Sequence, residues 1–301
     1  MKILLLGKDG QIGTELTRSL FRIGELAAFG KSDANFLDHD GLRQVVRRVK
    51  PDVIVNAAAY TAVDKAETEK AVAGQINAKA VSVLAQEAKL ADAWLVHYST
   101  DYVFDGKKPT PYVETDKALP LNAYGQSKKD GEDAVLESGC DHLIFRSSWV
   151  FAGGGDNFPK KILKKAAEER ELHVVDDCIG APTRADLIAD VTALVLYRLF
   201  FGSDNAQQLG GLYHLTASGK TSRYGYAEYL LACAAKRGWP SKLEAGGLSP
   251  IASSAYPSAV ARPMNSCLDG SKLREKLGIY MPDWKCGVER FVNELEASRL
   301  L

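Results

Sequence analysis

The chain has 301 residues, with 38 lysines and arginines balanced by 38 aspartates and glutamates, a length that suits one large α/β unit or two closely joined domains. Zero formal net charge leaves no electrostatic footprint for nucleic acid or an anionic membrane, so small molecules and other proteins are the expected partners. The five cysteines contain no C-x-x-C pair, and the most apolar run, 191–201, is broken by Arg198, which speaks against a disulfide scaffold, a zinc cluster and a membrane span. The opening apolar run, four residues between Lys2 and Gly7, is too short for a signal-peptide core, and the expected location is the cytoplasm.

In chain order, the apolar residues from Ile3 to Leu6 read as a strand buried on both faces of a parallel sheet. A glycine turn follows, then Ile12, Leu16, Leu20 and Ile23 at spacings of three and four, one face of a helix. An apolar run at 26–29, a helix over 40–49, a strand over 52–56, a long helix over 72–90 and a strand over 94–98 continue the alternation. A helix over 122–136 and a strand over 143–145 complete it. Strands separated by helical crossovers imply a parallel sheet. Beyond Trp149 the rhythm loosens through Gly153-Gly-Gly155, Gly180-Ala-Pro-Thr183 and a Ser/Ala/Gly/Pro-rich stretch over 245–263. The amphipathic stretch 187–199 is placed to return to the sheet. The expected architecture is a Rossmann-type doubly wound parallel sheet with a smaller C-terminal substrate-binding region. Residues 1–150, completed by about 184–215, form the dinucleotide-binding domain, and 151–183 with 216–301 the substrate-binding region.

Gly7, Gly10 and Gly13 lie between the first strand and the first helix. There glycines allow a tight turn, close approach of backbone to a pyrophosphate and close packing of helix on strand, so the site points to a dinucleotide. Tyr124-Gly-Gln-Ser-Lys128 is a Y-x-x-x-K, a pattern expected about once by chance with 12 tyrosines, so its position carries the argument rather than its occurrence. On a helix the two side chains share a face, where an ammonium can lower the pKa of a phenol; taken alone, the pair reads rather as solvated surface. Ser99-Thr100-Asp101 follows the 94–98 strand, at the sheet edge where doubly wound folds bind ligands. The plain alternative there is a Ser/Thr turn.

In this order the three motifs resemble the extended short-chain dehydrogenase/reductases. The segments Gly7-Lys-Asp-Gly-Gln-Ile-Gly13, Val53-Ile-Val-Asn-Ala-Ala-Ala59, Thr61-Ala-Val-Asp-Lys65, Ser99-Thr-Asp-Tyr-Val-Phe104, Pro120-Leu-Asn-Ala-Tyr-Gly-Gln-Ser-Lys128, Arg146-Ser-Ser-Trp-Val150 and Gly180-Ala-Pro-Thr183 are similar to those of the dTDP-4-dehydrorhamnose reductase family. Ser254-Ala-Tyr-Pro257, Arg262-Pro263 and Pro282-Asp-Trp284 extend the resemblance over nearly the whole chain.

The resemblance implies reduction of the 4-keto group of dTDP-4-dehydro-β-L-rhamnose by NAD(P)H, giving dTDP-L-rhamnose. It assigns Tyr124 as proton donor, Lys128 to lower the tyrosine pKa and hold the nicotinamide ribose, and Thr100 to the reacting oxygen. Asp101 and Trp149 would touch the sugar nucleotide, and Gly10, Gln11, Ile12, Ala59, Tyr60, Thr61 and Tyr98 would line the cofactor site. For Trp149 a core aromatic is the competing reading. In related nucleotide-sugar dehydratases the segment resembles S-T-D-E-V-Y-G; here Tyr102 stands in place of the glutamate that elimination needs. A non-catalytic NADP-binding regulatory subunit resembling that of methionine adenosyltransferase, and another nucleotide-sugar reductase or epimerase, are the alternatives.

After the second strand the chain reads Phe29-Gly-Lys-Ser-Asp33, without an acid at the strand's immediate end. Lys31 and Ser32 are placed for a 2′-phosphate, which favours NADPH, with NADH as the second candidate and Asp33 a competing contact. Asn35 stands where the family commonly has an acid, and its amide can bond the adenine. By the same resemblance Glu15, Asp186 and Glu294 match acids through which some members share Mg²⁺ in a homodimer, a role in assembly rather than chemistry; each also reads as an ordinary helix-surface charge.

Overall fold

The computed structural model describes residues 1–202, 206–255 and 260–295; Tyr256 and Pro257 of the 254–257 motif, like residues 296–301 of the expected substrate region, lie outside the described residues. Five parallel strands, β1 (Lys2–Leu6), β2 (Glu25–Phe29), β3 (Val53–Asn56), β4 (Trp94–Thr100) and β5 (His142–Ser147), are joined by Gly211–His214 in one sheet. Its spatial order is Gly211–His214, β5, β4, β3, β1, β2. The chain leaves β1 to one side for β2 and returns on the other side for β3, so the switch point opens between the C-terminal ends of β1 and β3, where such sheets bind ligands.

The alternation of side chains along each strand explains why these segments are apolar without a break. Ile3, Leu5, Val53, Val55, Val96 and Phe145 enter one core, covered by the helices α1 (Gln11–Leu20) and Ala185–Phe201. Leu4, Leu6, Ile54, Leu95 and Ile144 enter the opposite core, under α2 (His39–Val49) and Ala80–Leu90. Leu16 and Leu20 of α1 are fully buried, and each contributes about 2 kcal/mol by leaving water. The predicted helix over 72–90 is helical from Lys70, with a π-helical turn at Gln75–Lys79, a widening often used to place a side chain.

The 187–199 stretch lies within the helix Ala185–Phe201, and Gly211–His214 pairs parallel with β5. The loosened rhythm beyond Trp149 becomes a second core, in which Phe151, Tyr226, Trp284 and Phe291 pack among the helices Phe158–Glu168, Arg223–Lys236 and Trp284–Glu294. The short parallel pair Val150–Phe151 with Thr183–Arg184 ties this region to the large sheet.

Candidate active site

The glycine turn is built by close approach. Gly7 has φ +86°, and a Cβ on it would stand 2.6 Å from the Ala58 amide nitrogen. A Cβ on Gly13 would stand 1.9 Å from the Gly7 carbonyl oxygen, so only glycine lets α1 start directly over β1. Gly10 caps α1 without a side-chain hydrogen bond, and a Cβ there would meet only the Gly7 oxygen at 3.5 Å. The first amides of a helix lack intrahelical acceptors, and with the helix dipole they form a backbone cradle that fits a dinucleotide pyrophosphate. Gln11, Ile12 and Gly13 supply those amides.

Across the cradle the Gln11 Oε1 accepts from Asn157 Nδ2 at 2.9 Å, which ties the glycine turn to the loop after Phe151. Lys31 and Ser32 are exposed beyond β2. The competing acid is occupied: Asp33 accepts from the Gly30 amide at 2.9 Å and from Lys8 Nζ at 3.1 Å. Asn35 uses its Oδ1 on the Leu37 amide at 3.1 Å. On the other wall, Ala59, Tyr60 and Thr61 follow β3. Asn77, set in the π turn, accepts from the Tyr60 amide at 2.8 Å and donates to Ser127 Oγ at 3.0 Å. One asparagine thereby locks the cofactor-side loop to the helix that carries Tyr124.

That helix is Ala123–Ser138, started by Asn122 accepting from the Gly125 amide at 2.8 Å as an N-cap. Tyr124 and Lys128 stand one turn apart on it. Tyr124 reaches Thr100 at the end of β4, and burial pushes its phenol above the ordinary tyrosine value, against the hydrogen bond from Thr100. Lys128 is not among the groups that shift the phenol here; its Nζ donates to the Tyr98 carbonyl at 2.7 Å. Tyr98 contributes that carbonyl while its hydroxyl pairs with Thr192 Oγ1 at 2.8 Å in the core.

Thr100 Oγ1 donates to Asp101 Oδ1 at 3.2 Å, while Asp101 Oδ2 has no hydrogen-bond partner among the described residues. Burial raises the Asp101 carboxyl to about 6. The Tyr102 ring packs edge-on to Tyr124 at 5.5 Å. Arg262 holds the Tyr102 hydroxyl at 3.4 Å and the Asp64 carboxylate at 2.7 Å, linking the substrate region to the Thr61–Lys65 segment.

Trp149 adopts φ +49°, a left-handed conformation that is strained for an aromatic residue. Its indole fits because Gly180 has no Cβ; one there would stand 2.5 Å from the ring. On the ring lies Arg223, its guanidinium carbon 3.7 Å from the centroid, with no ion pair among the described residues. Arg223, Arg262, Asn77 and His97 are site residues that the sequence reading missed. Two of these left a trace in the sequence: His97 as a histidine inside an apolar strand, and Arg262 within the Arg262-Pro263 motif, which gave it no role.

Glu15, Asp186 and Glu294 meet arginines rather than one another. Glu15 accepts from Arg18 Nε at 2.9 Å, Asp186 pairs with Arg290 at 2.9 Å and Arg184 at 3.4 Å, and Glu294 pairs with both of those arginines. No group of three or more His, Cys, Asp or Glu side chains that could hold a metal occurs among the described residues, so the geometry lends the Mg²⁺ reading no support. No helix among them is long and apolar enough to cross a membrane.

A family model described as the RmlD substrate binding domain matches residues 1–297. A dTDP-4-dehydrorhamnose reductase of Escherichia coli K12 is 46% identical over 299 residues, 98% of each chain. One from Burkholderia thailandensis is 45% identical over 295 residues, 98% of this chain and 99% of that protein. The structure of a dTDP-4-dehydrorhamnose reductase from Bacillus anthracis in complex with NADP superposes with a TM-score of 0.86 at 32% identity, covering 97% of this chain and 99% of that one. A Clostridium acetobutylicum structure of the same description gives 0.88 at 30% identity, over 97% and 99%.

Proposed function

The chain belongs to the RmlD substrate binding domain family, and from that premise we propose that it reduces the 4-keto group of dTDP-4-dehydro-β-L-rhamnose to dTDP-L-rhamnose with NADPH. Full-length identity to reductases favours this over the non-catalytic regulatory reading. The observation that carries the chemistry is the Tyr124 phenol hydrogen-bonded to Thr100 at the end of β4, one helical turn from Lys128.

The pyrophosphate of the cofactor belongs on the amides of Gln11, Ile12 and Gly13, its adenosine end toward Lys31 and Asn35, and its ribose beside Lys128. Bound there, the reduced nicotinamide supplies hydride to C4 of the sugar. As negative charge grows on the carbonyl oxygen, Tyr124 gives it a proton and Thr100 gives it an oriented hydrogen bond. A phenol held above its ordinary pKa keeps its proton until that charge develops, as a general acid must. Asp101 and Trp149 orient the sugar. Arg223, stacked on Trp149 and with no ion pair among the described residues, supplies positive charge for the substrate diphosphate. Tyr102 puts a phenol held by Arg262 where elimination would need a carboxylate, so reduction is favoured over loss of water.

In domain terms, we assign residues 1–150 with about 184–215 to the dinucleotide and 151–183 with 216–301 to the sugar nucleotide. A Mg²⁺-bridged homodimer would have to draw Asp186 and Glu294 away from Arg184 and Arg290. Molar mass by light scattering with Mg²⁺ and with EDTA reads that directly, and an EDTA-insensitive mass removes the metal.

The functional assay is NADPH consumption with the 4-keto sugar nucleotide. Tyr124→Phe should lower kcat by about 10²- to 10⁴-fold with NADPH binding nearly unchanged. NADPH binding by the native chain without turnover of that substrate would refute the proposal.

A further inference from the structure

Behind Lys128 lies a polar chain that the reaction leaves unexplained. His97 is fully buried in β4, and its register partner across the sheet is Asn56 of β3. Asn56 Oδ1 accepts from the Ala58 amide at 3.1 Å. A peptide N–H can only donate, so the orientation of the Asn56 side chain is fixed, with its NH₂ toward His97. That NH₂ stands 3.2 Å from His97 Nδ1, which must be the acceptor. Burial first, and then the charge of Lys128, hold the imidazole well below its ordinary pKa, so the ring is neutral. A neutral ring that accepts at Nδ1 carries its proton on Nε2, and Nε2 lies 3.4 Å from Lys128 Nζ. An ammonium has three donors and no lone pair, so only the uncharged amine can accept from that N–H.

We propose that His97 is a positioning residue for Lys128: held by Asn56 as the Nε2–H tautomer, it turns an N–H toward Nζ and favours the uncharged amine, the one form that can accept it. The inference rests on the assignment of Tyr124 and Lys128 to the reaction. The other groups around the lysine oppose or are silent on this effect. Glu132, one turn on along the same helix, favours the ammonium, but its carboxylate is tied to Arg146 of β5 by bonds of 2.8 and 2.6 Å. The Tyr98 carbonyl accepts from either form of the lysine. Tyr124, one turn back, is a protonated phenol. Burial itself brings Lys128 down to about 8, in line with the direction of the His97 bond.

The tautomer can be read without turnover. The chain has five histidines; with ¹⁵N-histidine in the full chain, the His97 signals are those lost in His97→Gln. Long-range ¹H–¹⁵N spectra between pH 6 and 9 should show a protonated, pyrrole-type Nε2 and an unprotonated, pyridine-type Nδ1. A protonated Nδ1, or a charged ring at pH 7, overturns the inference while leaving the reductase assignment intact. Absence of NADPH turnover would do the reverse.

The second readout is the basic limb of kcat/KM, where Lys128 loses its charge. His97→Phe removes the donor that favoured the amine, so the limb should move up by roughly one pH unit, the size of one modest hydrogen bond. His97→Gln can present a carbonyl to Asn56 and an N–H to Lys128, and should restore the limb. A purely structural role would lower activity in both variants with the limb fixed, and that result also overturns the inference. Should His97→Phe fail to fold, the tautomer of the native chain decides.

Discussion

Asp101 is held at a cost that its replacement should return. The side chain is 3% exposed, its Oδ2 lacks a hydrogen-bond partner among the described residues, and burial lifts its carboxyl from 3.8 to about 6. A folded-state pKa above the unfolded one means that the native form binds the proton more tightly. The resulting stability is fully present below about pH 4 and is lost as pH rises through about 6. Two pH units at 1.36 kcal/mol each give about 3 kcal/mol, with no discount for screening because the group is buried. Asp101→Asn keeps the shape and an oxygen for the Thr100 hydroxyl but never ionises. Relative to the native chain it should be about 3 kcal/mol more stable at pH 8 and nearly equal at pH 4, with the gap opening between those values. For a chain of this length the gain at pH 8 corresponds to roughly 6 °C in melting temperature.

Denaturant melts of both proteins from pH 4 to 8 measure the gap, and their difference cancels every group except position 101. A gap independent of pH, or an asparagine variant less stable at pH 8, would refute the reasoning. Turnover should fall in the same variant, because Asp101 is assigned to orienting the sugar. Stability withheld at one carboxylate would then be a property of the active site rather than a packing defect.

Gly13→Ala should abolish tight NADPH binding and destabilise the fold, since its methyl would overlap the Gly7 oxygen at 1.9 Å and backbone on both sides must shift; binding measured by fluorescence within twofold of the native chain would contradict this. Because Asp33 is tied to Gly30 and Lys8, NADPH should serve at least as well as NADH, and Lys31→Glu should lower kcat/KM for NADPH by about tenfold, one removed phosphate contact. A kcat/KM for NADH more than tenfold above that for NADPH in the native chain would defeat the assignment. Arg223→Met should raise KM for the sugar nucleotide by at least tenfold with little change in NADPH affinity; an unchanged KM would remove Arg223 from the diphosphate.

What could be read in the sequence was whatever a few neighbouring residues determine. Strands such as Ile3–Leu6 declared themselves because both faces are buried, and the helix 123–138 placed Tyr124 and Lys128 together by its period alone. The functional partners of those residues come from elsewhere in the chain. Arg223 meets Trp149, and Arg262 meets Asp64, through folding of the second core against the first, and no local pattern marks an arginine for that use. Lys128 shows the same division within one residue. Its face on the helix was legible, but its partners, the Tyr98 carbonyl and the His97 ring, were not, since they come from a strand 30 residues earlier in the chain.

The chemical groups divide along the same line as the two cores. The sheet and its helices supply Tyr124, Lys128, Thr100 and the glycine cradle, all fixed by backbone geometry at strand ends or helix starts. The second core supplies Arg223, the loop ahead of Asn265 supplies Arg262, and the joint between the two cores is Trp149, just past β5, and Gly180, whose missing side chain admits the indole. A Cβ at Gly180 would press on the ring at 2.5 Å and disturb the Trp149–Arg223 stack, while all three of its nearest atoms belong to that indole and none to the cradle. On the proposed assignments, substrate recognition and cofactor binding should therefore be separable: Gly180→Ala should raise KM for the sugar nucleotide through one indole with NADPH binding kept, whereas Gly13→Ala acts on the cofactor cradle through the backbone.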